Sequence, residues 1–106
     1  MKSVRVVLMR PGGMPEPADI DPSLESLQGI VGGYLEAAPL NRDGLSVICN
    51  EDGIRLGLPL SAVLPMTGRM VGAFIVTAVD GSGDMRSLTP DEQATALAIV
   101  TAAAIA

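Results

Sequence analysis

The segment Leu24 to Leu60, LESLQGIVGGYLEAAPLNRDGLSVICNEDGIRLGLPL, places a stop or a turn after every short apolar run. No element inside it can therefore be long. Asp21-Pro22 predicts a helix start. The Asp carboxylate accepts from amides that have no helical partner, and Pro at the first helical position gives up nothing. Leu24, Leu27 and Val31, with Ile30 beside them, fall on one helical face. Gly32-Gly33 ends the helix after about ten residues, one glycine taking the left-handed conformation that a side chain resists. Tyr34 to Ala38 reads as a strand with Tyr34, Glu36 and Ala38 on one side. The tetrapeptides Asn41-Arg42-Asp43-Gly44 and Asn50-Glu51-Asp52-Gly53 both read as reversals. They predict an antiparallel meander of three strands, 34–38, 45–49 and 54–56.

On either side of this segment the patterns are plainer. Ser3 to Met9 is a short β-branched run without clean alternation, expected to lie inside a sheet. The Pro- and Gly-rich stretch 11–17 reads as an irregular connection. Leu58 to Met66, interrupted by Pro59 and Pro65, suggests a short helix with Leu60, Val63 and Leu64 inward. Met70 to Val79 is expected to be one long strand, with Gly72 marking a bulge or a close approach. Thr89-Pro90-Asp91-Glu92 has capping-box spacing and opens a final helix. The sum is a single α+β domain spanning 1–106, with a mostly antiparallel sheet of about five strands and two main helices in the order β-α-β-β-β-β-α.

Composition narrows the function. Twelve acidic residues against seven basic ones give a net charge of −5, and Tyr34 and Phe74 are the only aromatics. Single-stranded nucleic acid is bound by aromatic platforms in basic grooves, so nucleic acid is not an expected partner. With no histidine, the Ser-His and Cys-His nucleophile systems and histidine-ligated zinc are excluded. One cysteine, Cys49, cannot form an internal disulfide, and with no cleavable signal ahead of the first strand it points to the cytoplasm. At the end of an apolar strand Cys49 reads as a small buried hydrophobe rather than a nucleophile. The apolar run from Ala94 to the end is shorter than the roughly 20 residues that cross a bilayer, so no membrane is implied. Its apolar residues surround the helix, more than one face of a small sheet covers, and this predicts a homodimer.

The acids Glu51 and Asp52 sit in a turn whose residue types the turn itself requires, and the calcium-loop pattern is incomplete, so no metal is assigned. Gly29 to Gly33 ends a helix, whereas phosphate cradles precede one. Taken together, LESLQGIVGGYLE, VICNEDG, GLPL and SLTPDEQ resemble a family of small proteins of unknown function encoded mainly by bacteriophages and mobile elements. Ser61 stands where that family often has Asn after GLPL. The resemblance implies a phage or host-cytoplasm setting and supplies no catalytic residue.

Two expectations follow. The first is a non-enzymatic accessory protein without a cofactor that binds a small anionic or nucleotide-like ligand to counter host defence. Tyr34, Asn50 and Arg55 are its candidate ligand-binding residues: a stacking ring, an amide and a guanidinium near adjacent hairpins. Glu36 is also left over once the turns are accounted for. The competing reading packs Tyr34 in the core and gives the other two turn and surface roles. The second expectation is an interaction module that inhibits a host protein. An enzyme using carboxylates and a divalent ion ranks below both. Convergence of Arg55, Arg69 and Arg86 on one pocket would favour the anionic ligand.

Overall fold

A computed structural model describes residues 3–105. Its main sheet is built around the strand β7 (Phe74–Val79), with β1 (Val4–Met9) and then β2 (Glu16–Ile20) on one side. On the other side lie β4 (Leu45–Asn50) and then β3 (Leu35–Pro39). The short β8 (Met85–Arg86) pairs with β7 where β1 has diverged from it. A separate antiparallel hairpin consists of β5 (Leu60–Leu64) and β6 (Gly68–Val71). The helices are α1 (Leu24–Val31) and α2 (Pro90–Ala103). All the strand pairings are antiparallel, and the fold is the α+β domain with two helices that the sequence predicts.

Successive residues of β1, β4 and β7 point to opposite faces, and both faces are covered. Val4, Val6, Leu8, Ile48 and Ile75 pack with Leu27 of α1. Val7, Met9, Leu45, Val47, Phe74, Val76 and Ala78 pack with Ala96 and Val100 of α2 and with Ala62, Leu64 and Met70 of the hairpin. Double coverage is why Ser3 to Met9 shows no apolar–polar alternation. Phe74 is fully buried on the central strand and fills the space that several aliphatic side chains fill elsewhere. Its truncation to Ala is expected to cost about 3–5 kcal/mol.

Helix ends follow local chemistry, with one correction. Ser23, not Asp21, caps α1. Its hydroxyl accepts from the Ser26 amide at 3.2 Å, while the Asp21 carboxylate accepts from the Ser23 amide at 3.0 Å. Asp21 spends its side chain on a turn two residues long, and the helix starts later and runs eight residues. Gly32 takes the left-handed cap at φ +83°, and its amide donates to the Gln28 carbonyl. At α2 the capping box forms in full: the Glu92 amide donates to Thr89 Oγ1 at 3.2 Å, and the Thr89 amide donates to Glu92 Oε1 at 2.9 Å.

Four further expectations are corrected. The stretch 11–17 is not wholly irregular, because Glu16 begins β2, an edge strand that accommodates Pro17. Residues 54–56 are not a strand. The neighbour of β4 is β7, and 51–57 is a run of turns in which the Leu56 amide donates to the Asp52 carbonyl. Leu58 to Met66 is not a helix, since Leu60–Leu64 pairs with β6 and the buried Ser61 hydroxyl donates to the Gly72 carbonyl. Met70 to Val79 is two strands broken at Gly72. There φ is +72°, and a Cβ would come within 2.8 Å of Leu58 Cδ1, the close approach expected of this glycine. With β8 also unforeseen, the described residues form eight strands: six in the main sheet, where about five are expected, and two in the separate hairpin.

Candidate functional site

The β3–β4 hairpin turns one face toward the β5–β6 hairpin, and a cleft of about 240 Å³ separates them. Glu36 and Cys49 are cross-strand partners on that face, so their side chains stand side by side, with Ala38 next along β3. Thr67, Arg69, Met70 and Val71 form the opposite wall, and Glu51 and Ile54 close one end.

Polar groups in this cleft are unevenly satisfied. Four of the chain's arginines have carboxylate partners. Arg5 takes Asp19 through two contacts of 2.8 and 3.0 Å, Arg10 takes Glu16, Arg55 takes Asp52 at 3.4 Å, and Arg86 takes Glu92 through two contacts of 2.7 and 2.9 Å. Arg69 has no such partner among the described residues. Thr67 Oγ1 is sequestered from solvent and bonds to nothing. A hydroxyl left in that state costs about 1–3 kcal/mol relative to a bonded one.

Cys49 is half-buried and its Sγ donates to the Glu36 carbonyl at 3.7 Å. Burial pushes its thiol pKa up, and the Glu36 charge pushes it further. The thiol form persists at neutral pH, so the cleft carries no thiolate nucleophile. Among the described residues no three Cys, Asp or Glu side chains cluster as metal ligands would.

Of Tyr34, Asn50 and Arg55, Asn50 alone lines the cleft, and its side chain has a structural task. Its Nδ2 donates to the Val31 carbonyl at the end of α1, and its Oδ1 accepts from the Asp52 amide at 2.8 Å. Tyr34 is 69% exposed, outside the core, just before β3, and its carbonyl accepts from the Glu51 amide. Arg55 is exposed on the 51–57 excursion beside Asp52. Neither the Tyr34 ring nor Arg55 lines the cleft. Arg86 is also elsewhere: Cys49 lies near the Phe74 end of β7 and β8 near the Val79 end. The three arginines therefore do not converge, and Arg69 alone reaches the cleft.

Sequence reasoning missed Thr67. Its signal is faint, a hydroxyl in the turn Pro65 to Gly68, and its isolation depends on how the hairpin packs. Glu36 was visible as a charged residue on a strand with no turn to explain it.

The class is thus an antiparallel sheet covered on both faces, with a cleft at its side. Residues 1–100 match a family described as a domain of unknown function (DUF3846), and the chain belongs to that family. No curated protein and no solved structure matches it. No helix among the described residues is long and apolar enough to cross a membrane.

Proposed function

We propose that this chain is a non-enzymatic binding protein and that the cleft between the β3–β4 and β5–β6 hairpins is its ligand site. One observation carries the reading: an unbonded buried hydroxyl, Thr67 Oγ1, and an arginine without a carboxylate, Arg69, line the same cleft wall. Arg69 would meet an anionic group bidentately. Glu36 and Glu51 would repel a bare anion, so the ligand also presents donors to them, as the hydroxyls of a ribose or the amino group of a base do. At about 240 Å³ the cleft lies below the roughly 300 Å³ at which small-molecule sites usually begin. That size favours a single nucleoside-like unit over a dinucleotide. In the bacteriophage or mobile-element setting that the sequence resemblance implies, such a protein would act in the host cytoplasm by sequestering a small signalling molecule of the host's defence.

Native mass spectrometry on protein recovered from infected bacterial cells tests this. The expected result is a mass excess that denaturation releases and that Arg69→Ala and Thr67→Val each abolish. A clean apo mass for the unaltered chain overturns the proposal.

A second reading, inhibition of a host protein by direct contact, is favoured by two large exposed side chains on the 51–57 excursion, Ile54 and Leu56, and by Tyr34, whose carbonyl accepts from the amide of Glu51 at its start. Tyr34, Ile54 and Leu56 are 69%, 77% and 53% exposed beside the 51–57 turns. Exposed apolar groups gathered this way are typical of docking surfaces. A photo-crosslinker at Ile54 should then trap one dominant host protein, and Tyr34→Ala should remove that product. Absence of any product discards this reading.

A further inference from the structure

α2 is covered on one side only. Ala96 and Val100 are buried against the sheet, while Ala94, Thr95, Ala98, Thr101 and Ala102 are exposed. From Ala94 to Ile105 there is no charged side chain. Ala94, Ala98 and Ala102 recur every four residues and so form a single ridge low enough for another backbone to approach closely. Ala98 and Ala102 of this ridge, with Ile99 and Ala103, form one wall of an apolar groove of about 410 Å³, whose other wall is Val63 and Pro65 of the hairpin. Val63, Met66 and Ile105 near its ends are 47%, 49% and 39% exposed.

We infer that the occupant of this groove is a second copy of the chain, with α2 of each protomer lying across a two-fold axis in the groove of its partner. Charge supports a second copy over a foreign chain. At a net charge of −5 two copies repel over most of their surfaces, and this uncharged strip lets them meet without opposing carboxylates. None of the groove residues is acidic, so nothing there selects a basic partner. Shape supports it as well. A two-fold contact requires one patch to match itself, and here the ridge and the groove it must enter are contiguous. Area sets the strength. A standard interface removes about 800 Å² per partner, roughly a seventh of this chain's 5809 Å². A strip along α2, about 21 Å long and one helix width across, is smaller than that, so the dimer is expected to be weak and to dissociate on dilution. The inference is independent of the ligand reading.

Sedimentation velocity on the full chain from about 1 to about 500 µM tests it. The mass should rise from 10.9 kDa toward twice that value across the range. Ala98→Glu, at an exposed position, should keep the wild-type circular dichroism and stay monomeric throughout. Ala98→Lys should also be monomeric alone, and an equal mixture of the two variants should recover the dimer through opposite charges across the axis. If Ala98→Glu fails to fold, Val63→Glu takes its place with the same expectation. A wild-type chain that remains monomeric over the whole range overturns the inference, as does an Ala98→Glu chain that dimerises like wild type.

Discussion

Asn41-Arg42-Asp43-Gly44 and Asn50-Glu51-Asp52-Gly53 differ at one position, yet the first makes a hairpin and the second does not. Both begin alike. Each Asn side chain accepts from the amide two residues on, Asp43 at 3.0 Å and Asp52 at 2.8 Å. They part at the glycine. Gly44 takes φ +92° at the surface, and the Leu40 amide donates to the Leu45 carbonyl to close β3 onto β4. Gly53 is buried and has no positive φ; glycine is required there by space, since a Cβ would lie 2.8 Å from Val71 Cγ2. Asn50 differs as well, since its amide is buried and bonds to Val31. Equal local chemistry therefore yields a free reversal where the surroundings are solvent, and an anchored excursion where a helix end and a hairpin crowd it.

The largest expected effect separates the two asparagines. Each side chain makes two hydrogen bonds, but Asn50 is buried and Asn41 is not, so Asn50→Ala should cost about 2–3 kcal/mol and Asn41→Ala about 1 kcal/mol. Urea denaturation of both variants measures the gap, and equal losses would break the comparison. The glycines come next. Gly53→Ala forces a methyl against Val71 and should cost about 1–2 kcal/mol through overpacking. Adding Val71→Ala should restore much of that loss, beyond what the single variants predict. Gly44→Ala should cost about 1 kcal/mol through backbone strain and be indifferent to residue 71.

A smaller effect concerns Glu92, a clamp like Asn50 but nearer solvent. The Arg86 guanidinium, and then the Thr89 amide, hold its carboxyl down at about 2 from an ordinary 4.5. A depressed carboxyl contributes stability that is fully present above 4.5 and lost as pH falls toward about 2. Melting temperature should therefore drop across that window in the wild type and less steeply in Glu92→Gln. Screening at this surface keeps the total modest, and added salt should shrink it. The smallest effect is Thr67→Val in the ligand-free chain. Replacing an unbonded buried hydroxyl by a methyl of similar shape removes its desolvation cost and should leave stability unchanged or raise it by up to about 1 kcal/mol. A clear loss would mean that Thr67 Oγ1 already has a partner, as Asn50 does.

Much of the fold was readable because its signals are local. Thr89, Pro90 and Glu92 form the cap their spacing implies, and Gly32 ends α1 since only glycine takes that conformation freely. The pattern of Leu58 to Met66 suggests a helix because the strand character of Leu60–Leu64 comes from partners elsewhere in the chain, Met70 and Val71 on β6 and the Gly72 carbonyl that Ser61 meets. The cleft was less legible still. Glu36 stood out, but Thr67 and Arg69 gain meaning only from what they fail to touch, and no spacing encodes that.

The sequence by itself determined where α1 stops, where α2 begins and where the chain is able to turn, and its lack of histidine means that no histidine-based site can be built from these 106 residues. These depend on single residues and their immediate neighbours. Tertiary structure alone decided that β4 lies beside β7, that Gly53 serves close packing, and that Arg55, Arg69 and Arg86 stand apart. Those outcomes depend on which distant surfaces exclude water together, a property of the assembled core and not of any one segment.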